Sequence, residues 1–136
     1  MAQWLGASGT LHIFDLQQEM LDHTLRRARK SSVVNVEVSQ GDARQLPYSD
    51  ESFDAAYLVA VLGEIPDQHA ALRELRRVLK PHGRLVVGEL LGDPHMVPDR
   101  TLRRRAAAAG LCLERRVGPR FGYFGVFRRA PHGARA

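Results

Sequence analysis

The chain has 136 residues, of which 44% are apolar, and a formal net charge of +5 at neutral pH. This length and apolar content allow a single buried core. A positive balance can indicate a nucleic-acid partner, but nearly all of it is arginine, with only Lys30 and Lys80 as lysines, and coding bias alone can produce that preference.

Cysteine content and hydropathy exclude further classes of protein. Cys112 is the only cysteine, so an internal disulfide and a cysteine-built metal site are both excluded, and we predict no metal site. No apolar stretch approaches the roughly 20 residues that a bilayer span needs. The first residues lack the basic and apolar regions of a signal peptide. We therefore predict a cytoplasmic protein without a membrane span.

The pattern of apolar residues predicts alternating strands and helices. Short apolar, β-prone runs predict strands, and apolar residues at helical spacing predict helices. In chain order the predicted elements are a strand at 11–15, a helix at 16–30, strands at 33–38 and 55–61, a helix opening at Pro66-Asp67 and stopped by 80–83, a strand at 84–90, a helix at 98–109, and strands at 111–117 and 121–128.

This order predicts an α/β fold with a mostly parallel, Rossmann-like sheet and helices on both faces. The last two strands are joined only by residues 118–120. A parallel crossover needs a dozen residues or more, so these strands must form an antiparallel hairpin at the C-terminal end. We predict one domain over residues 1–130 and a disordered tail at 131–136.

Acidic residues stand where the predicted parallel strands end. Ligands of open α/β sheets bind beyond the carboxyl ends of the strands, and Asp15, Asp42, Glu64 and Glu89 are placed there. A carboxylate at such a position can accept hydrogen bonds from both hydroxyls of a ribose. Two simpler interpretations stay open. Asp15 can cap the following helix with Gln18 in a capping box, and Gly41-Asp42 can be an ordinary turn.

One internal segment carries a family resemblance. The run from Gly41 to Asp54, GDARQLPYSDESFD, resembles the "GDA…LP…D.SFD" segment of class I S-adenosylmethionine-dependent methyltransferases. Phe14-Asp15 with Glu19-Met20-Leu21, and Leu72–Leu75 with Val78–Leu85, match the same family in order and spacing, apart from His82 where the family usually has glycine. The resemblance covers roughly residues 8–128 and is closest to enzymes of the ubiquinone and menaquinone biosynthesis type.

The resemblance implies S-adenosylmethionine as cofactor and methyl transfer to a small-molecule acceptor by in-line displacement. It implies cofactor-binding roles for five residues, each with its own contact. Asp15 would accept hydrogen bonds from the ribose hydroxyls, and Met20 would lie against the adenine ring. Asp42 would accept a hydrogen bond from the adenine amino group, and Ala43 would add a backbone contact beside it. Val59 would border the methionine end of the cofactor. Met20 can equally be a core residue of its helix.

The acceptor side offers weak candidates for catalytic residues. Glu64 and Glu89 follow strand ends and are expected to face the pocket. His95, in the loop after residue 90, is a candidate base or a bystander on the surface. Tyr123 lies in an aromatic hairpin, so it is either a core residue or part of an apolar acceptor site.

The beginning of the family pattern has no counterpart in this sequence. The family starts with a strand, an acidic residue and a glycine-rich turn, whereas residues 1–9 resemble only the end of the helix that follows them. We therefore expect an N-terminally truncated domain that lacks its first strand and glycine-rich loop. The strands beginning at Leu11 and Ala55 must then pair directly, or a homodimer or partner chain must cover the missing strand. Cofactor binding and activity would be impaired.

Two alternatives to an active enzyme stay open. A chain without the cofactor loop can be a catalytically inactive scaffold or partner module. A cluster of arginines can also form one basic face of an RNA-binding or RNA-modifying protein. That cluster contains Arg100, Arg103, Arg104, Arg105, Arg115, Arg116 and Arg120.

Overall fold

The computed structural model describes residues 5–119 and 121–131. The chain divides into two compact units, Met1–Ala43 and Arg44–Ala136, which are called the first and second unit below. The prediction of one domain over residues 1–130 stays a prediction. Apart from Pro131, the tail predicted at 131–136 lies outside the described residues.

The first unit is a strand–helix–strand motif. Strand β1 (Leu11–Asp15) runs parallel to β2 (Val36–Gln40), with Asp15 opposite Gln40 at the end of the ladder. Helix α1 (Gln18–Lys30) connects the two strands and buries Leu21. Its basic last turn complements the partial negative charge at the helix C-terminus. The carboxyl ends of β1 and β2 therefore lie at the same edge of this small sheet.

The second unit contains a four-stranded mixed sheet in the order β3-β4-β6-β5. Strands β3 and β4 are parallel, whereas β6 is antiparallel to both β4 and β5. The α/β fold class and the C-terminal hairpin are therefore confirmed. The elements of the second unit are β3 (Phe53–Val59), a 3₁₀ helix (Leu62–Glu64), α2 (Gln68–Val78), β4 (Leu79–Leu90), α3 (Asp99–Ala108), β5 (Leu111–Val117) and β6 (Gly122–Arg129).

Apolar residues from helices and strands form the core of the second unit. Leu72, Leu85, Leu102 and Phe127 are all at most 1% exposed. Helix α2 begins with Asp67, whose side chain accepts a hydrogen bond from the Ala70 amide at 2.9 Å, as the Pro66-Asp67 signal predicted. Burial of these side chains supplies most of the driving force for folding of this unit.

A guanidinium network fixes the segment before β3 onto α2. Arg77 donates to both carboxylate oxygens of Glu74 at 2.8 Å and to Asp50 at 2.8 Å. It also donates to the backbone carbonyls of Leu46 and Tyr48. The hydrogen bond from Arg77 holds the pKa of Glu74 below its usual value. The run from Gly41 to Asp54 thus has a structural role in addition to its place in the family pattern.

Several strand boundaries differ from the prediction, and three of the differences have a local reason. Strand β2 begins at Val36 because the Val33 amide donates to the Ala28 carbonyl and closes the end of α1. Strand β3 ends at Val59 because Ala60 adopts a left-handed backbone conformation, with φ of 53°. Strand β4 begins five residues before the predicted Arg84, since Leu79 already pairs with Phe53.

The two sheets have separate hydrogen-bond ladders. Strand β1 pairs with β2, and β3 pairs with β4. Direct pairing of β1 with β3 would join the two separate units, and that alternative stays a prediction. Within residues 5–119 and 121–131, no helix has the length and hydropathy that a bilayer crossing requires.

Candidate functional site

Asp15 closes strand β1 in the first unit. Its Oδ1 accepts a hydrogen bond from the Gln17 amide at 2.9 Å, which turns the chain into α1. The predicted capping box is wrong, because Gln18 donates to Asp22 at 2.8 Å and the cap residue, Gln17, makes no side-chain cap. Asp15 is half-buried, and its other oxygen has no hydrogen bond among the described residues. It retains capacity to accept ligand hydroxyls.

Asp42 and Ala43 follow strand β2 at the same edge. The Gly41 amide donates to the Asp15 carbonyl at 3.0 Å, so the chain after β2 is tied to the end of β1. Gly41 also lies against the ring of Phe14, where an added Cβ would come within 2.8 Å of the ring. Asp15 and Asp42 therefore lie at the carboxyl ends of adjacent parallel strands, as the sequence predicted, and both are half-buried.

Two exposed apolar side chains, Leu16 and Met20, come shortly after Asp15 in the chain. Met20 is 48% exposed and Leu16 is 68% exposed, so Met20 is not a core residue of α1. The Leu16 carbonyl accepts a hydrogen bond from the Gln40 side chain at 3.0 Å, which holds the turn in place. An exposed apolar surface beside two carboxylates suits a ligand with a flat ring and polar hydroxyls.

The end of strand β3 in the second unit has an unusual backbone. Val59 is half-buried, and the next residue, Ala60, has φ of 53°, which is uncommon for a residue with a side chain. The Ala60 amide donates to the Gly88 carbonyl at 2.9 Å. In the following 3₁₀ turn, Gly63 packs so closely on the loop after β4 that an added Cβ would overlap the His95 carbonyl oxygen.

Glu89 and Tyr123 bind the backbone amide and the backbone carbonyl of Val97, in the loop after β4. They face each other across the β4–β6 ladder. Glu89 Oε2 accepts from the Val97 amide at 3.0 Å, and the Tyr123 hydroxyl donates to the Val97 carbonyl at 2.6 Å. All three residues are at most 3% exposed. We call this arrangement the Val97 clamp.

The Val97 clamp leaves one carboxylate oxygen unsatisfied. Glu89 Oε1 is buried and has no hydrogen-bond partner among the described residues. Burial raises the pKa of Glu89, the bond from Val97 opposes that rise, and the charge of Asp93 adds to it. The expectation that Glu89 faces an open pocket is wrong, because its side chain is 1% exposed. Tyr123 is buried as well, and burial raises the pKa of its phenol.

The other two candidates on the acceptor side lie in solvent. Glu64 is exposed in the 3₁₀ turn. His95 is exposed too, and its backbone amide donates to Asp93 Oδ1 at 2.8 Å. The backbone of His95 packs against Gly63 in the turn that contains Glu64, and His95 Nδ1 lies 3.9 Å from Asp93 Oδ1.

Several arginines of the predicted basic face make hydrogen bonds or ion pairs within the protein. Arg103 pairs with Asp99 at 2.8 Å, Arg105 bonds to Gln68, and Arg116 donates to the carbonyls of Gly118 and Pro119. Arg120 lies outside the described residues. Several of these guanidiniums are therefore used within the fold, which weakens the case for a continuous RNA-binding surface.

Part of the cluster lines a cleft of about 760 Å³ in the second unit. Neither this cleft nor the position of Val97 had a signal in the sequence, since both depend on residues that are distant along the chain. In the described part of the chain, no three side chains of the types that bind metals are grouped together. The cleft is lined by Met96, Pro98, Asp99, Arg100, Arg103, Arg116 and Tyr123.

Comparison with known proteins identifies relatives by sequence. The family model described as "Methyltransferase domain" matches residues 1–87, which is more than half of the chain. A demethylmenaquinone methyltransferase from Lactobacillus johnsonii is 37% identical over 90 residues, which cover 65% of this chain and 37% of the relative. The chain thus spans less than half the length of this curated relative.

Solved structures share the fold at lower sequence identity. A SAM-dependent methyltransferase from Aquifex aeolicus superposes with a TM-score of 0.86 at 23% identity, covering 96% of this chain and 73% of its own. The [4+2]-cyclase SpnF superposes with a TM-score of 0.76 at 21% identity, covering 97% and 78%. The second neighbour illustrates that this fold by itself does not determine the reaction.

The match over residues 1–87, the carboxylates that follow adjacent parallel strands and the terminal hairpin agree with one another. The family uses S-adenosylmethionine as its cofactor. The chain belongs to the methyltransferase domain family of class I S-adenosylmethionine-dependent methyltransferases.

Proposed function

We propose that this protein transfers a methyl group from S-adenosylmethionine to a small-molecule acceptor in the cytoplasm. The observation that carries the proposal is the position of Asp15 and Asp42, which follow adjacent parallel strands and are tied together by the bond from Gly41 to Asp15. The bound cofactor supplies an already activated methyl group for in-line displacement, so the protein contributes alignment and exclusion of water.

The first unit fits the nucleoside half of the cofactor. Asp15 accepts hydrogen bonds from the ribose hydroxyls through the oxygen that Gln17 does not use. Met20 lies against the adenine ring with its exposed side chain. Asp42 accepts from the adenine amino group, and Ala43 adds a backbone contact. Val59, at the end of β3, is assigned to the methionine half by resemblance alone.

An acceptor that must lose a proton requires a base. Among the four candidates, Glu89 is the best suited, because burial raises its pKa and Oε1 has no hydrogen-bond partner among the residues that the structure describes. Glu64, His95 and Tyr123 are weaker, since the first two are exposed and the third donates its hydroxyl proton to Val97. Access to Glu89 requires the loop held by the Val97 clamp to move.

A partner strand belongs to the proposal as well. Strand β3 is at one edge of the four-stranded sheet, in the part of the chain that the structure describes. The unpaired amides and carbonyls of an edge strand favour addition of another strand. We propose that a second copy or another chain adds a strand at this edge, which light scattering of the purified protein tests through the molar mass in solution.

Cofactor titration tests the function directly. We expect S-adenosylmethionine and S-adenosylhomocysteine to bind in calorimetry and to raise the melting temperature. Asp15→Asn removes a charged acceptor, so affinity should fall about 10-fold or more, and Asp42→Asn should have a similar effect. Asp22→Asn is the matched control, because Asp22 is exposed on α1 and, within the described part of the chain, its side chain bonds only to Gln18.

The outcomes separate the alternatives. Loss of affinity in the two site variants with normal binding in Asp22→Asn supports the cofactor site. If neither compound binds the wild-type protein, the enzyme hypothesis fails and the inactive partner module is favoured. If all three variants bind equally well, the assigned carboxylates are wrong even though the protein binds cofactor.

A further inference from the structure

The arginine-lined cleft of the second unit is defined here by the seven residues given above and has a volume of about 760 Å³, within the range of small-molecule sites. Two of its lining residues, Met96 and Pro98, belong to the loop that follows β4. Tyr123 lies opposite Glu89, one residue before β4 ends. The cleft is therefore next to the carboxyl end of a parallel strand, where ligands of α/β sheets bind.

The charge of the cleft is positive. Three arginines line it against one carboxylate, Asp99. Arg103 makes the close pair with Asp99 at 2.8 Å, and Arg116 approaches the same carboxylate at 3.7 Å. Arg100 has no hydrogen bond or ion pair with any residue that the structure describes. One carboxylate thus offsets one guanidinium, and the cleft retains an excess of positive charge.

Two of the arginines are fixed and one is available. Arg116 donates to the Gly118 and Pro119 carbonyls and lies 5.1 Å from the centre of the Tyr123 ring, so it contributes charge rather than free donors. Arg103 is held by Asp99. Arg100 can direct its whole guanidinium towards a ligand, which suits two-point recognition of a carboxylate or phosphate.

The N-terminus of α3 adds donors at the same place. Pro98 is the cap residue and provides no side-chain cap, and the first helical backbone bond is from the Leu102 amide to the Pro98 carbonyl. The amides of residues 99–101 therefore have no partner within the helix. Helix N-termini favour anions through these amides and the helix dipole. Arg100 and the uncapped turn belong to one short segment.

We propose that the arginine-lined cleft binds a carboxylate or phosphate group of the methyl acceptor, with Arg100 as the contacting residue. Met96 and Pro98 supply an apolar wall, so the acceptor is a small anion with an apolar body. The identity of this ligand as the acceptor rests on the proposed function. The anion-binding property of the cleft does not.

Benzoate, phenyl phosphate and the uncharged analogue benzamide test the cleft without any cofactor. Their binding to the full chain is measured by calorimetry or by NMR titration. We expect benzoate and phenyl phosphate to bind and benzamide to bind at least about 10-fold more weakly, since charge-assisted hydrogen bonds distinguish them. If substitution of Arg100 lowers the affinity for both anions equally, the cleft is a general anion site. If it lowers the affinity for one anion only, that anion carries the preferred group.

Arg100→Gln is the test variant and Arg104→Gln is its matched control. Both residues are exposed on α3 and both changes remove one charge, but Arg104 does not line the cleft. Arg100→Gln should weaken anion binding about 10-fold, whereas Arg104→Gln should change it less than about twofold. Circular dichroism verifies that both variants fold, and Arg100→Lys should recover only part of the affinity because it lacks the planar fork.

Several outcomes overturn the proposal. It is wrong if neither anion binds at concentrations up to about 10 mM, if benzamide binds as tightly as benzoate, or if the two glutamine variants lose affinity equally. These outcomes are independent of methyl transfer. A protein that binds anions in the cleft but no S-adenosylmethionine contradicts the proposed function and leaves the anion site standing.

Discussion

The two compact units differ in how much apolar surface they remove from solvent. In the described part of the first unit, Leu21 is the one apolar side chain that is fully buried, whereas Leu16, Met20 and Val34 are well exposed. The second unit contains the rest of the buried apolar set. Because burial of apolar surface drives folding, the unit that buries less of it is the less stable one. The proposed nucleoside site is therefore in the less stable part of the chain, and the arginine-lined cleft is in the more stable part.

This difference predicts that ligands act differently on the two units. A ligand that binds only the folded form of a marginal unit stabilises that unit by mass action. S-adenosylmethionine should therefore order the first unit, whereas an anion in the arginine-lined cleft meets a surface that is already formed.

Phe127→Ala should cost about 3–5 kcal/mol of unfolding free energy, because it removes a ring that is 1% exposed from the core of the second unit. Phe121→Ala is the matched control, since that ring is 61% exposed and its loss should change stability by less than about 0.5 kcal/mol. Urea unfolding followed by circular dichroism measures both. Equal effects would show that the second unit does not contain the dominant core.

Hydrogen exchange compares the units directly. The free energy of opening measured from amide exchange should be about 2–3 kcal/mol higher in β4 and β6 than in β1 and β2, because exchange follows local stability. S-adenosylmethionine should raise protection mainly in β1 and β2. Exchange measured by NMR or mass spectrometry tests this, and uniform protection across both sheets would contradict the division.

Arg77→Lys should lower the stability of the second unit by about 2 kcal/mol, since a lysine cannot replace the fork that joins Glu74, Asp50 and two carbonyls. Arg73→Lys, one turn earlier on α2 and exposed, is the matched control with no expected change. Thermal unfolding measures the difference. A wild-type melting curve for Arg77→Lys would show that the network is not required.

Glu89→Gln should produce the smallest effect, and one that depends on pH. The raised pKa of Glu89 means that the native state keeps a proton that the unfolded chain releases above its ordinary pKa of about 4.5. This group therefore makes the protein less stable as the pH rises from the ordinary pKa to the raised one. Glutamine keeps an oxygen for the Val97 amide but does not ionise.

The measurement is the free energy of unfolding of both proteins between about pH 4 and pH 8. The difference between variant and wild type should change in favour of Glu89→Gln as the pH rises. Glu74, whose pKa is lowered, contributes the opposite slope equally to both proteins. A difference that is independent of pH would show that Glu89 ionises normally in the folded protein.

The sequence predicted the elements well where short-range signals determine them. β1 was placed correctly at Leu11–Asp15, and Asp67 caps α2 as expected. The shifted ends of β2 and β3 depend on single backbone conformations, a helix-closing bond from Val33 and the positive φ of Ala60. Apolar periodicity contains no information about either, so these boundaries could not be predicted.

Part of the geometry of the candidate site could be predicted. Asp15 and Asp42 could be placed because parallel strands bring their carboxyl ends to one edge. Glu89 was also placed at a strand end, but its burial depends on Tyr123 and on a loop residue, Val97, that meet it only in the folded chain. The same holds for the arginine-lined cleft, whose residues come from a loop, a helix and two strands.

The close approach of Gly63 to the loop after β4 has a consequence for protein engineering. Any other amino acid at this position would collide with the carbonyl oxygen of His95, and a carbonyl cannot rotate away as a flexible side chain can. Libraries intended to change acceptor preference can therefore vary Val61 and Glu64, both exposed, but should leave position 63 unaltered. Divergent copies of this gene that lose the glycine should carry compensating changes in residues 91–98.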